Sequence, residues 1–129
     1  MRKTLGLLLV LAMVATACGD DDASGALDTC ESVADATIDL VQDVIDELES
    51  MSPSDVGALT QGQEFPAFVE IEARGVTIGE HGQELECTDI DALVQARADQ
   101  LTNDPTNGFT QLIVDGTQNG EDVMSRLFR

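Results

Sequence analysis

Past Lys3 the chain contains no lysine, and it has no tryptophan or tyrosine anywhere. Arg74, Arg97, Arg126 and Arg129 are the basic residues beyond position 17, set against 25 acids, so that stretch carries a formal charge of −21. Phosphate binding needs basic patches, so a direct nucleic-acid partner is excluded on electrostatic grounds. Anionic lipid headgroups are repelled for the same reason, and membrane contact must come from something other than a charged protein surface. Histidine occurs once, as His81, in the sequence Gly79-Glu80-His81-Gly82, where solvent exposure is the expectation. No Gly-x-Ser-x-Gly elbow, Gly-x-Gly-x-x-Gly turn or phosphate loop is present. With 25 acids every carboxylate spacing arises by chance. No catalytic residue is marked, and the expectation is a protein that is not an enzyme and needs no cofactor.

Long apolar runs are also missing. Leu5 to Ala17, interrupted by Gly6 and Thr16, is the longest, and it falls short of the roughly 20 residues that span a bilayer. Arg2 and Lys3 precede it and Ala15-Thr16-Ala17 closes it, so residues 1–17 have the charged start, apolar middle and small-residue end of a secretory signal peptide. The next residues are Cys18-Gly19-Asp20-Asp21-Asp22. Small residues ahead of a cysteine resemble the lipobox of bacterial lipoproteins. The resemblance implies cleavage before Cys18, a thioether-linked diacylglycerol on it, and a place on the outer face of the cell membrane, tethered through that lipid. Ala15 stands where the family usually has Leu, and Ala-Thr-Ala also suits ordinary secretion, which is the alternative.

Removing the signal leaves 112 residues, enough for one domain with a modest core. Leu, Ile, Val and Phe make up about a quarter of them, above the level typical of disorder. With lipid on Cys18, Cys30 and Cys87 remain as an even pair in an oxidising compartment, where a disulfide is the expectation. The bridge would close a loop of just under sixty residues, worth about 4 kcal/mol in the chain-entropy view. In a domain with few aromatics and strong self-repulsion, that margin matters.

Residues 18–27 form an acidic tether, and 28–129 the folded domain. Asp28 and Glu31 have capping-box spacing. Cys30, Val33, Thr37, Val41, Val44, Leu48 and Met51 then recur every three or four residues, with Ile38 and Ile45 widening the stripe, which predicts an amphipathic helix of about six turns. Ser52-Pro53-Ser54-Asp55 ends it and suits the start of a short helix, weakened by Gly57 and Gly62. Residues 65–86 admit two readings. Val69 to Ala73 alternates like a strand, with Arg74-Gly75 as a hairpin turn. Phe65, Phe68, Ile71, Gly75, Ile78, Gly82 and Leu85 fit a helix, explain more positions and leave Pro66 in a permissible first turn. Helix is preferred, with Gly75 and Gly79 letting a neighbour approach closely. Thr88 and Asp91 suggest another capping box, opening a helix through Ile90, Leu93, Val94, Arg97 and Leu101. Asn103 to Gly108 stops it. Phe109 to Val114 is a short apolar run, Asp115 to Gly120 a turn, and Glu121 to Phe128 a last amphipathic piece with Val123 and Leu127 on one face and Met124 and Phe128 beside them. The fold class that follows is all-α, a small bundle of about four helices stapled by one disulfide. The stretch from Ile71 to Leu101 is similar in pattern to small lipoproteins of high-GC Gram-positive bacteria, a likeness that implies no activity.

Residues 20–31 also resemble an EF-hand calcium loop. Asp20, Asp22, Ser24 and Asp28 supply oxygens at loop positions 1, 3, 5 and 9, Gly25 sits at 6, and Glu31 stands where the bidentate ligand belongs. No helix can precede it after cleavage. A second candidate, Asp115-x-Thr117-x-Asn119-Gly120, ends on Arg126 instead of Glu. An ordinary solvated tether is preferred, with calcium binding by an envelope module as the alternative function. Arg97, on the apolar stripe of its helix, is expected either against a carboxylate or with its stem along the core. The acidity fits salt adaptation or compositional drift equally. Functionally, the sequence points to a membrane-tethered envelope lipoprotein that acts through contacts with another envelope protein.

Overall fold

The computed structural model describes residues 26–122; Cys18, residues 1–25 as a whole and the piece from Val123 lie outside the described residues. Among the described residues there are five α-helices: α1 (Cys30–Ser50), α2 (Pro53–Thr60), α3 (Pro66–Glu84), α4 (Ile90–Gln95) and α5 (Gly108–Gln118). A 3-10 turn at Ala98–Gln100 separates the last two. The class is the expected all-α bundle with one disulfide, built from one helix more than expected.

α1 is the hub. It packs against α3 on one flank and against α4 and α5 on another. Val33, Ala34, Ile38, Leu40, Val41, Val44, Ile45 and Leu48 are all buried, a wider face than one apolar stripe supplies. Leu40, off the expected stripe, is buried because Gly75 of α3 has no side chain: a Cβ there would lie 3.3 Å from Leu40 Cδ2. The cap of α1 lies one residue later than Asp28 and Glu31 suggested. Thr29 Oγ1 accepts from the Ser32 backbone N–H and Ser32 Oγ accepts from the Thr29 N–H, both at 3.1 Å. Two hydroxyls can serve each other's backbone reciprocally, and Glu31 is left in the first turn, where its charge suits the helix dipole.

α2 starts as its sequence suggests, with Ser52 capping and Pro53 in the first turn; Gln61 is its C-cap, and the chain turns away at Gly62, whose φ of +87° only glycine adopts freely. The hairpin alternative for residues 65–86 is not what forms. α3 runs from Pro66 to Glu84 and buries Phe68 and Ile71. Its end is a Schellman motif: the Cys87 N–H donates to the Gly82 carbonyl and the Glu86 N–H to the Gln83 carbonyl, each at 3.0 Å. The residue carrying the left-handed conformation is Glu86, at φ +54°. This reversal brings Cys87 back to Cys30 at the start of α1, with the two Cα atoms 5.6 Å apart and the disulfide formed. An L-residue with a Cβ is penalised in that conformation, so Glu86→Gly should raise stability by about 0.5–1 kcal/mol despite the extra freedom glycine gives the unfolded chain. Urea unfolding with an unchanged m-value is the measurement, and an unchanged or lower midpoint would show that the Glu86 conformation carries no strain.

The long helix expected from Thr88 to Leu101 is a correction. Asp89, not Thr88, is the cap of α4, and it makes no side-chain capping bond. The helix stops at Gln95, after which Arg97 N–H bonds to Val94 and Gln100 N–H to Arg97, tightening the chain to three residues per turn. That pitch aligns Ala98 with Leu101, and both are buried. Gln42 of α1 fixes the exit, accepting from Thr102 N–H at 2.8 Å and donating to its carbonyl at 2.9 Å. In the loop that follows, Thr106 gives its hydroxyl and then its N–H to Asp104 Oδ1 at 2.7 and 2.8 Å, and these bonds hold the Asp104 carboxyl below its ordinary pKa.

α5 is a second correction, because an apolar run and a turn were expected in its place. Asn107 caps it, accepting from Phe109 and Thr110 N–H at 3.1 and 3.2 Å. Its buried face consists of Thr110, Ile113, Val114, Gly116 and Thr117. The threonines are tolerated inside because their hydroxyls are satisfied. Thr117 donates to the Ile113 carbonyl at 2.9 Å, and Thr110 to Glu49 Oε1 at 3.0 Å.

Candidate functional site

Of the residues singled out by sequence, Cys30 and Cys87 are joined. Asp20, Asp22 and Ser24 of the calcium-loop pattern lie outside the described residues, and Asp28 and Glu31 are exposed at the start of α1. Among the described residues no group of three or more His, Cys, Asp or Glu gathers as metal ligands would. The second loop candidate is corrected: Asp115 and Thr117 belong to the last turn of α5, and Thr117 is buried, facing the core instead of a cation. His81 sits in the last turn of α3 with its side chain 42% exposed and Nδ1 3.6 Å from Glu84 Oε2. Arg97 meets both expectations at once. Its guanidinium pairs with Asp35 of α1 through Nε and gives Nη1 to the Leu93 carbonyl at 3.1 Å, with only 20% of the side chain exposed. Arg74 pairs with Asp43 at the surface, where such a contact contributes about 0–1 kcal/mol. Both described arginines are thus engaged with carboxylates of α1.

A groove with a volume of about 710 Å³ lies between α1 and α3. Its geometry follows from three glycines. Gly75, Gly79 and Gly82 recur every four and three residues on α3, so they share one face. The outer two are close to α1: a Cβ at Gly75 would meet Leu40 at 3.3 Å and one at Gly82 would meet Val33 at 3.4 Å. A Cβ at Gly79, between them, would have nothing within 4 Å. The helices are drawn together at two points and leave open space between. Val33, Thr37 and Leu40 form one wall, Val76 and Ile78 the other, and Cys87 and Ile90 close one end. The walls are mostly apolar, and Val76 is 57% exposed on the open side. Carboxylates at Glu72 and Glu86 mark the rim. A smaller concavity of about 310 Å³, lined by Leu59, Phe65, Phe68 and Val69 together with Gln63 and Glu64, shares Glu72 with the groove.

Sequence reasoning placed Gly75 and Gly79 in a packing role. Gly75 has it; Gly79 does not. The nearest signal in the sequence is the third glycine, Gly82, in step with Gly75 and Gly79, but the spacing alone does not say which of the three touches α1. Chemically, the groove offers apolar contact edged by negative charge, suited to an apolar segment carrying cations. Among the described residues, no helix is long and apolar enough to cross a membrane. The chain matches no family model, no curated protein and no solved structure.

Proposed function

We propose that the chain is an exported lipoprotein, held at the outer face of the cell membrane by a diacylglycerol on Cys18, and that its helical domain is a non-enzymatic interaction module. The observation that carries the reading is the groove between α1 and α3, an open apolar track whose rim carries Glu72 and Glu86. A surface with that composition recognises an amphipathic helical segment with arginine or lysine along its edge, laid into the groove by its apolar face. The partner is accordingly another envelope protein presenting such a segment. The net acidity of the domain speeds encounter with a basic partner and makes the association weaken as salt rises.

Two measurements test the two halves. Radiolabelled palmitate should enter the protein and not its Cys18→Ser variant; an unmodified Cys18 in protein recovered from the medium would establish ordinary secretion instead. A synthetic amphipathic helix of leucine and arginine should bind the domain at low ionic strength and lose that binding on Gly79→Leu, which fills the groove. The substitution meets no neighbour at its Cβ and replaces the poorest helix former but proline with a good one, so the fold should survive it. Equal binding by both proteins would show that the groove is not the contact surface.

A further inference from the structure

We infer that the partner helix carries two cations about fourteen residues apart, with a large apolar side chain midway between them that enters the groove over Gly79. The inference rests on the groove being the contact surface and adds the sequence pattern that this surface selects.

The pairing of α1 with α3 sets the pattern. Gly75 approaches Leu40 and Gly82 approaches Val33, so the two helices run antiparallel. Each contact is separated from the other by seven residues on both helices. A seven-residue repeat keeps a seam in register along a coiled coil, so a third helix laid against this pair meets equivalent positions once every two turns.

The middle of the groove is built to receive a side chain. Gly75, Ile78, Gly79 and Gly82 all line it. They are the i, i+3, i+4 and i+7 positions of one helix, the four that bound a hole in knobs-into-holes packing. Three of these corners have no side chain, and a Cβ at Gly79 would meet nothing within 4 Å, so the hole is wide. An alanine knob would forfeit contacts with Val33 and Leu40, whereas leucine, methionine or phenylalanine fills the space.

Charge fixes the ends. Glu72 and Glu86 stand seven residues to either side of Gly79, and both line the groove. From Glu72 to Glu84 α3 rises about 18 Å, and Glu86 lies just past its end. Between the two glutamates the α3 side of the lining is uncharged. The other acid on the lining, Asp122, borders the cleft toward α4 with Val41 and Val94. Arg74 and Arg97 pair with Asp43 and Asp35, so neither of them serves a rim glutamate. On a partner helix, residues fourteen apart are separated by about 21 Å and by nearly four whole turns, so both cations lie on the groove side. That spacing lets each cation meet one glutamate while the central side chain occupies the hole.

The test titrates the full chain, carrying Cys18→Ser to keep it in solution, with two synthetic helical peptides of identical composition. In the first, a central leucine has arginines seven residues before and seven after it. In the second, those arginines exchange places with glutamines five residues before and after, which moves them to the opposite side of the helix. Equal charge makes the long-range attraction to the acidic domain equal, so a difference reports placement. At low ionic strength the first peptide should bind about tenfold more tightly, which is about 1.4 kcal/mol shared by two ion pairs. Glu72→Gln with Glu86→Gln should reduce its affinity to that of the second, and alanine in place of the central leucine should weaken both by about tenfold. Equal affinities on the unsubstituted protein, with both peptides lost on Gly79→Leu, would overturn the spacing and leave the groove as the contact surface. A tenfold preference that survives the double glutamine change would also overturn it. If neither peptide binds, or if Gly79→Leu leaves both bound as before, the groove reading itself fails and the spacing with it.

Discussion

Replacing Cys87 with serine should lower the stability of the helical domain by about 2–5 kcal/mol. The bridge spans 57 residues and ties the first residue of α1 to the turn that follows α3. In the chain-entropy view, opening a loop of that size returns about 4 kcal/mol of conformational freedom to the unfolded state. The folded state loses something as well, because Cys87 forms part of the wall where α3 turns toward α4 and its position depends on the left-handed Glu86. A domain of this size has roughly 5–15 kcal/mol in total, so the loss is a large fraction of it. The measurement is urea unfolding of the oxidised protein, of Cys87→Ser, and of Cys30→Ser/Cys87→Ser, the last to remove the unpaired thiol left by the single change. Both variants should unfold at lower urea with a steeper m-value, since an uncrosslinked chain exposes more surface. An unchanged midpoint in the double variant would mean that packing of α1 on α3 alone holds the two ends together.

How far the fold could be anticipated depended on which residues carried the burial. α1 is marked by Val, Ile and Leu at regular spacing, and its Cys30–Ser50 extent follows directly from that stripe. α3 was readable once Pro66 was accepted in a first turn, because Phe68, Ile71 and Ile78 keep a helical period through three glycines. α5 was hidden because its buried face uses Thr110, Gly116 and Thr117, residue types that in isolation suggest turns. Their tolerance inside depends on hydrogen bonds to Asn107, Ile113 and Glu49. The Glu49 contact joins residues 61 positions apart and exists only after folding. The break after Gln95 has a similar origin: Arg97 reaches across to Asp35, 62 positions away, and the chain tightens to bury Ala98 and Leu101 on one side. The disulfide was accessible by counting cysteines. The groove was not, because it arises from where two glycines touch α1 and a third does not.

The second large effect should come from the centre of α1. Ile45 is fully buried and belongs to the core cluster formed by α1 with Phe68, Ile71, Leu101, Ile113 and Val114. That cluster is aliphatic apart from Phe68, with Phe65 and Phe109 packed against its edge. Ile45→Ala removes three carbons from a site walled by side chains of α1, α3 and α5, and the hole should persist instead of collapsing. The expected loss is about 2–5 kcal/mol, in the upper half of that range if the helices keep their spacing. Leu112 supplies the control. It lies on α5 with 69% of its surface exposed, so Leu112→Ala deletes the same number of carbons where no cavity can form and should change stability by less than about 0.5 kcal/mol. Alanine is also a slightly better helix former than the residue it replaces in each case, so propensity works against the loss at both positions and does not create the difference. Both variants should be compared with the disulfide intact, because the bridge acts on the unfolded chain and leaves the core term separable. Equal shifts in the urea midpoint would mean that α1 is not the helix around which the others are packed.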